Sequence, residues 1–439
     1  MHLALYLSES GVHAGGWRHP RSGMETGANV ELFRHLTRVA EDAKFDLAFL
    51  ADKLAVDDVY GGTPDEVLRT RVNVHRDPVV LLTALAGATS RIGLAATAST
   101  TYSEPFHVAR MFSTIDHVSG GRAAWNAVTS VSDGEARNFS RDAHLDHSTR
   151  YDRAAEFLDA VLALWDTWDD DAVVLDRAGA TYVDPARVRR ADHSGDWFRV
   201  AGPLTLPRSP QGRPVIVQAG ASGTFQAVAA RTAEVVFAVT PTLDRAQDFR
   251  AQFRAAVSAA GRDPGSAKVL PGIMPIVADT DSEARALEQE LRSLVHPVAG
   301  LTFMSASMNY DLAKHPVDGP VPDVRSELRG SKGRFEYVVG HAVERGITLG
   351  ELAVEYAASL SFPMLVGSPK TVADEMERWY SAGGADGFVI MPAFAPGSVD
   401  DFTRLVVPEL QARGLFRREY AGTTLRDHLG LERPAVATL

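Results

Sequence analysis

The chain has 439 residues, of which 45% are apolar and 23% are charged, enough for one elaborated domain or for two or three smaller ones. Its formal net charge of −11 disfavours nucleic acid and anionic membrane surfaces as partners. Cysteine is absent, which excludes disulfides, thiolate nucleophiles, cysteine-bound zinc and iron–sulfur clusters. With no secretory leader and no apolar run of about 18 residues, we expect a cytoplasmic protein.

Strand and helix patterns alternate along most of the chain. Eight apolar, strand-like segments are predicted at 1–7, 45–51, 91–98, 123–128, 214–219, 235–239, 269–278 and 387–391. Helical spacing is found between them at 29–43, 77–90, 105–117, 223–232, 243–260, 282–296 and 372–382, and after the last strand at 399–414. Because βα units in series build parallel sheets and eight of them close a ring, the pattern favours a TIM (β/α)8 barrel over an open doubly wound sheet.

Two long insertions interrupt this alternation, after strands 4 and 7. The first covers about 131–213, with a helix predicted at 151–166 and an irregular stretch at 169–213. The second covers about 300–361, is rich in glycine and proline around 316–333, and is predicted to cover the barrel mouth. We therefore expect a single barrel domain over 1–439 that ends in a tail at about 415–439.

Ligands of a TIM barrel bind at the C-terminal ends of its strands, and here those ends are polar but carry no charged catalytic set. They supply Asp52, Thr97 with Ser99, and Asn126. The sequence has no recurring pair of carboxylates for a glycosidase, no His-x-His or His-Glu-x-x-His spacing for a metal hydrolase and no Gly-x-Ser-x-Gly nucleophile elbow. Such a pocket is typical of enzymes whose cofactor brings its own reactivity.

Three further features each have a structural and a functional interpretation. The Gly-Ala-Ser-Gly turn at 220–223 suits either a phosphate cradle with Ser222 as donor or a tight loop with Ser222 as a helix N-cap. His147 and Tyr151 are four residues apart, so they share one helix face, in a pocket or at a plain helix boundary. The histidines of the loop after the first strand are catalytic or structural.

Segments spread over nearly the whole chain resemble the nitrilotriacetate monooxygenase group of bacterial-luciferase-like flavin monooxygenases. This group includes desulfurising sulfone monooxygenases and long-chain alkane monooxygenase. The matching segments include Gly-Trp-Arg-His-Pro at 16–20, Phe-Leu-Ala-Asp at 49–52, Thr-Ala-Ser-Thr-Thr-Tyr at 97–102, Ser-Gly-Gly-Arg-Ala-Ala-Trp-Asn-Ala-Val-Thr-Ser at 119–130, Gln-Ala-Gly at 218–220 and Thr-Leu-Arg-Asp-His-Leu-Gly at 424–430. The chain departs from the group at Phe225, where a glycine is common.

The resemblance implies a barrel that binds reduced FMN, which a separate NAD(P)H-dependent flavin reductase supplies. Oxygen would add to the reduced flavin, and the resulting peroxyflavin would transfer one oxygen atom to a small organic substrate. The cofactor-binding residues implied in this way are Asp52, Thr97, Ser99, Asn126, His147, Tyr151, Ser222 and Gly223, with Asn126 beside the flavin ring and Ser222 and Gly223 at the phosphate. His13, His19 and Tyr60 are predicted at the mouth as substrate-side or proton-handling catalytic residues. A homodimer or homotetramer is the expected assembly.

Two other functions are compatible with the same residues. One is a deazaflavin (F420)-dependent oxidoreductase of the same superfamily, which needs no oxygen. The other is a non-catalytic flavin-binding protein, although the predicted pocket residues are all present. The sequence does not identify the substrate.

Overall fold

The computed structural model describes residues 1–24, 29–220, 223–324, 326–327 and 332–436. Eight parallel strands form the central sheet: β1 His2–Tyr6, β2 Leu47–Leu50, β3 Gly93–Ser99, β4 Ala123–Val128, β5 Val215–Ala219, β6 Val235–Ala238, β7 Lys268–Val277 and β8 Gly387–Ile390. Each strand pairs with the next, and β1 pairs with β8 through His2 and Gly387, which closes the ring. The predicted TIM barrel is confirmed.

Side chains of β4 show how the sequence sorts residues between the two faces of the barrel wall. Successive strand residues point to opposite faces. Ala124 and Asn126 therefore point to one face, and Trp125 points to the other. Ala124 packs in the inner cluster of the barrel, whereas Trp125 is fully buried in the outer layer against Phe112 and Trp165. Asn126 is therefore a polar residue on the inner face, near the C-terminal end of β4.

Helices surround the barrel, most of them where the helical spacing predicts them, although the short helix Asp65–Thr70 was not predicted. They span Val30–Asp42, Asp65–Thr70, Pro78–Ala86, Pro105–Ser119, His147–Trp165, Gly223–Thr232, Leu243–Ala259, Asp281–Ser293, Pro369–Ser381, Gly397–Asp401 and, after a π-helical turn at Phe402–Val406, Val407–Ala412. Capping fixes several starts: the Asp77 side chain accepts a hydrogen bond from the Val80 N–H, and Pro78 occupies the first turn. Gly120 and Gly121, both at positive φ, turn the chain from helix into β4.

The first insertion contains more regular structure than its sequence predicts. After the helix Asp133–Asn138 and the long helix His147–Trp165, two short antiparallel hairpins form, Val173–Asp176 with Thr181–Val183 and His193–Ser194 with Arg199–Val200. The prediction of an irregular stretch at 169–213 is therefore wrong in part. Both hairpins lie largely at the surface, so they lack the alternation of apolar and polar residues that a half-buried strand shows.

The second insertion is mainly helical, with helices at Pro297–Met308, Lys332–Arg345 and Leu349–Ser359. These helices enclose a small core of their own, which includes Leu301, Met304, Phe335 and Leu352. None of the three helices was predicted, and the first is apolar on nearly all sides and shows no amphipathic pattern. The strand Met364–Gly367, also not predicted, pairs in parallel with the C-terminal half of β7.

The C-terminal segment closes the N-terminal end of the barrel. Its helix Leu425–Leu429 buries Leu425 and Leu429 completely within the inner cluster. A Cβ atom on Gly93 would come within 2.5 Å of the Leu425 side chain. The helix can therefore pack this closely against β3 because residue 93 is a glycine. Phe416, Leu425 and Leu429, in the region expected to be a tail, therefore belong to the buried core. Within the described ranges, every helix is too short or too polar to traverse a lipid bilayer.

Candidate active site

Thr97 and Asn126 are paired residues of β3 and β4 at the C-terminal end of the barrel. The Thr97 hydroxyl donates to the carbonyl oxygen of Leu50 at 2.8 Å, so Thr97 Oγ1 can only accept from Asn126, whose Nδ2 donates to it at 2.9 Å. This fixes the orientation of the amide. Asn126 Oδ1 is then buried with no hydrogen-bond partner among the described residues. A bare buried acceptor costs about 1–3 kcal/mol, which a ligand donor in the barrel mouth would offset.

Asp52 follows β2 at the same end of the barrel. Its Oδ1 accepts a hydrogen bond from the Lys53 backbone N–H at 2.8 Å. Burial raises the pKa of Asp52 to about 6, and the neighbouring charges of Asp77 and Glu135 act in the same direction. A carboxyl group that titrates near neutral pH at the mouth of a barrel is a candidate functional group.

Glu135, which the sequence analysis did not select, joins the loops that follow β2 and β4. Its buried carboxylate accepts hydrogen bonds from the backbone N–H groups of Leu54 at 3.3 Å, Val131 at 3.2 Å and Ser132 at 3.1 Å. The available signal was the Ser-x-x-Glu capping box at 132–135. Ser99 has a related role between β3 and β4: its hydroxyl lies 3.0 Å from the hydroxyl of Ser130.

The turn after β5 is described only in part, because Ala221 and Ser222 lie outside the described residues. The prediction for Ser222 therefore stays a prediction from sequence. Gly223 starts the helix Gly223–Thr232, and a Cβ there would meet nothing within 4 Å. At Gly220, by contrast, a Cβ would come within 2.7 Å of the Phe225 ring. The Phe225 ring therefore occupies the space that a side chain at position 220 would need.

His147 and Tyr151 lie in the first turns of one helix, with their rings 4.8 Å apart. His147 is exposed, whereas Tyr151 is partly buried against the cluster that contains Phe225. Both residues are therefore brought to the side of the barrel where the helix Gly223–Thr232 begins. Their roles in cofactor binding stay predictions.

His13 lies beside the segment that follows β8, since its backbone N–H donates a hydrogen bond to the Ala393 carbonyl oxygen at 3.3 Å. It is 3% exposed, and its Nδ1 accepts a hydrogen bond from the Gly15 N–H at 3.1 Å. Burial, with a contribution from the Arg292 charge, lowers the pKa of His13 to about 4. The neutral ring therefore carries its proton on Nε2. His13 lines a cavity of about 160 Å³ together with Leu50 and Ala51, the residues that precede Asp52.

His19 and Tyr60 do not line this cavity. The His19 ring stacks on Phe394 with centroids 4.1 Å apart, and its Nε2 lies 3.7 Å from Glu290 Oε1. Tyr60 begins a short 3₁₀ turn and packs against the small core of the second insertion. The structure therefore separates the three predicted catalytic residues, and only His13 faces the space beside β2.

Comparisons with known proteins agree over nearly the whole chain. The family model described as luciferase-like monooxygenase matches residues 12–386. The chain belongs to the luciferase-like monooxygenase family. The dibenzothiophene-sulfone monooxygenase of Rhodococcus erythropolis (strain XP) is 44% identical over 441 residues, covering 99% of this chain and 97% of the relative.

A second relative and a solved structure support the same assignment. Nitrilotriacetate monooxygenase component A of Aminobacter aminovorans is 41% identical over 442 residues, covering 99% of this chain and 97% of the relative. The crystal structure of DmoA from Hyphomicrobium sulfonivorans has a TM-score of 0.89 and 34% identity, covering 98% of this chain and 92% of that one.

These luciferase-like relatives confirm the resemblance found in the sequence. The two named relatives are monooxygenases, so the chain is an enzyme of the flavin-dependent monooxygenase class. They give no support to a non-catalytic flavin-binding protein, and they favour a monooxygenase over the deazaflavin-dependent alternative. The barrel mouth is polar but carries no charged catalytic set. This suits an enzyme class in which a bound cofactor, rather than a protein nucleophile, supplies the reactivity.

Proposed function

We propose that the chain is the oxygenase of a two-component system, which takes reduced FMN from a separate NAD(P)H-dependent flavin reductase and uses O2 to oxygenate a small organic substrate. The observation that carries this proposal is the buried, unpartnered Oδ1 of Asn126 at the barrel mouth. A flavin ring carries N–H donors that such an acceptor would bind. The name "component A" of the nitrilotriacetate relative supports a system with a second component.

The residues present fit a flavin mononucleotide. Asn126, held by Thr97, would accept from the ring, and Asp52 and Ser99 lie on the neighbouring strand ends. The phosphate would bind near Gly223, in the first turn of a helix and at a point where a Cβ atom would meet nothing within 4 Å, with Ser222 as a further donor and Tyr151 and His147 alongside. Bound reduced flavin supplies the electrons that activate O2.

The chain's own contribution is to position the reactants and to keep water away from them. Hydrogen bonds link the second insertion to the loops at the mouth. Arg71 Nε donates to Thr302 Oγ1 at 3.1 Å, the Gly61 N–H donates to Asp311 Oδ1 at 2.9 Å, and Asn309 Nδ2 donates to Asp133 Oδ2 at 3.1 Å. These bonds hold the helical insertion over the loops that follow β2 and β4. His13 Nε2–H then provides a proton-bearing donor at the edge of the site.

The cofactor assignment can be tested without knowing the substrate. Anaerobic titration of the full-length protein with reduced FMN, oxidised FMN and reduced F420, followed by ultrafiltration, measures which of them the protein retains. We expect retention of reduced FMN and none of F420. Admitting oxygen should then cause oxygen uptake when a flavin reductase and NADH renew the reduced FMN.

Two results would contradict the proposal. Retention of F420 in preference to FMN, with reduction of a test acceptor in the absence of oxygen, would establish the deazaflavin alternative. Failure to retain any flavin would refute both. A Ser222→Ala variant measures the phosphate contact: loss of a hydrogen bond to a charged group should weaken FMN binding by about 1.5–3 kcal/mol.

A further inference from the structure

The cavity beside β2 is distinct from the polar mouth because most of its lining is apolar. The residues around it include Tyr6, Leu7, Val12, Leu50, Phe303 and Leu360. Its volume of about 160 Å³ is close to that of cavities that hold one benzene ring. Since Leu50 also accepts the Thr97 hydrogen bond, the cavity adjoins the proposed flavin site.

Both arginines that line the cavity already bind a carboxylate. Arg71, nearly fully buried, forms an ion pair with Asp57, and its guanidinium stacks on the Phe303 ring at 3.9 Å. Arg76 binds Glu9 Oε1 at 2.7 Å. An anionic substrate would have to compete with these internal carboxylates, and burying an uncompensated charge is costly.

His13 provides a polar group that faces the cavity without carrying a charge. Its Nδ1 is occupied by the Gly15 N–H, and its low pKa leaves Nε2 protonated and the ring neutral at physiological pH. No described residue bonds to Nε2, and this atom is not fully enclosed by protein. It is therefore a neutral donor in a largely apolar space, together with the Tyr6 hydroxyl, which lines the same cavity. Such a donor discriminates between a ligand with an acceptor oxygen and an isostere without one.

We propose that this cavity takes an uncharged, apolar part of the substrate, with His13 Nε2–H donating a hydrogen bond to an acceptor oxygen on it. The inference rests on the proposed function, since it assigns the cavity to the substrate of the flavin-dependent reaction. The enzyme then selects neutral sulfone-, sulfoxide-, ether- or amide-like groups attached to an apolar body. Substrates that present carboxylates to this cavity are disfavoured.

Three small ligands of similar shape test the proposal by binding, without turnover. Methyl phenyl sulfone is neutral with acceptor oxygens, benzenesulfonate is an anion, and isopropylbenzene has no acceptor. Their dissociation constants are measured by NMR titration of the full-length protein with saturating oxidised FMN at pH 8, where the exposed His75 at the rim is also neutral. We expect methyl phenyl sulfone to bind at least tenfold more tightly than each of the other two.

Two variants sharpen this test. Val74 lines the rim and is 59% exposed, so Val74→Lys adds an unpaired cation without disturbing the core; it should increase benzenesulfonate affinity several-fold. Val80→Lys, at a site 69% exposed and outside the cavity, is the matched control and should change nothing. His13→Phe should weaken binding of the sulfone about tenfold and leave that of isopropylbenzene unchanged.

The proposal fails if benzenesulfonate binds to the unaltered protein as tightly as the sulfone, or if none of the three binds. It also fails if Val74→Lys and Val80→Lys have the same effect on benzenesulfonate. Because the measurement needs no oxygen and no reductase, a failure here is distinguishable from a failure of the proposed oxygenation, which the flavin-retention experiment reports separately.

Discussion

The two ends of the barrel differ in whether their buried polar groups have partners within the protein. At the base, meaning the N-terminal strand ends with Asp46, Glu234, Arg417 and Arg426, carboxylates meet cations. Glu234 accepts from Arg426 at 2.6 and 3.1 Å and from the Ile216 N–H at 3.0 Å. Burial alone would raise the pKa of Glu234, but Arg426 holds it below its usual range. The same holds for Asp46, which His2 and Arg417 neutralise despite full burial.

At the mouth, meaning the C-terminal strand ends with Asp52, Thr97 and Asn126, the groups are left without such partners. Asn126 Oδ1 has no protein donor within the described ranges, and Asp52 forms no ion pair there, so burial raises its pKa. The buried carboxylates at the base are therefore paired with cations, whereas Asp52 and Asn126 Oδ1 reduce stability and stay available to a ligand. This division is typical of TIM barrels.

The base should be the most sensitive part of the molecule. Arg426→Met leaves the buried Glu234 carboxylate without its cation and is expected to lower the free energy of unfolding by about 3–5 kcal/mol, measured by urea denaturation. Adding Glu234→Gln should restore part of the loss because the uncompensated charge is gone. Arg378→Ala, which breaks an exposed pair with Glu375, is the control and should cost less than about 1 kcal/mol. If Arg426→Met and Arg378→Ala lowered the free energy of unfolding equally, the ion pairs at the base would be no more important for stability than an exposed pair.

Asp52→Asn should raise the free energy of unfolding instead of lowering it, and the size of this gain should depend on pH. Because the folded protein binds the Asp52 proton more tightly than the unfolded chain, Asp52 reduces stability progressively as the pH rises from about 4 to about 6, and fully above that. The variant should therefore gain about 1–3 kcal/mol relative to the unaltered protein between pH 4.5 and pH 8. Urea denaturation of both proteins at the two pH values measures this difference. A pH-independent difference would show that Asp52 is not desolvated.

Asn126→Ala should produce the smallest of the three free-energy changes, and this change should be confined to flavin binding. Losing one hydrogen bond to the flavin should weaken reduced-FMN binding about tenfold, measured by anaerobic titration. The free energy of unfolding should change little, since the variant also removes the unsatisfied acceptor. Gln247→Ala removes an amide that binds a backbone carbonyl on the outer helix layer and should leave flavin affinity unaltered. A large loss of stability without a loss of affinity would assign Asn126 to the scaffold instead.

Sequence patterns predicted the barrel because its strands are short apolar runs separated by amphipathic helices. They also selected Asp52, Thr97 and Asn126, since the C-terminal end of a parallel strand is identifiable from the order of elements. They could not reveal that Asn126 Oδ1 is unpartnered, because this depends on the Leu50 carbonyl 76 residues away in the chain. The separation of His19 from His13 depends equally on tertiary contacts, here with Phe394 and Glu290.

The pairing of β1 with β8 also determines how late in translation the barrel can close. His2 pairs with Gly387, so on the ribosome one edge of β1 has no partner until residue 390 has been made. At about 5–20 residues per second, that interval lasts roughly 20–80 seconds. The helix Leu425–Leu429, which closes the base, is made later still. An unpaired strand edge can pair with other chains, so the nascent protein is most vulnerable to misassembly during almost the whole of its translation.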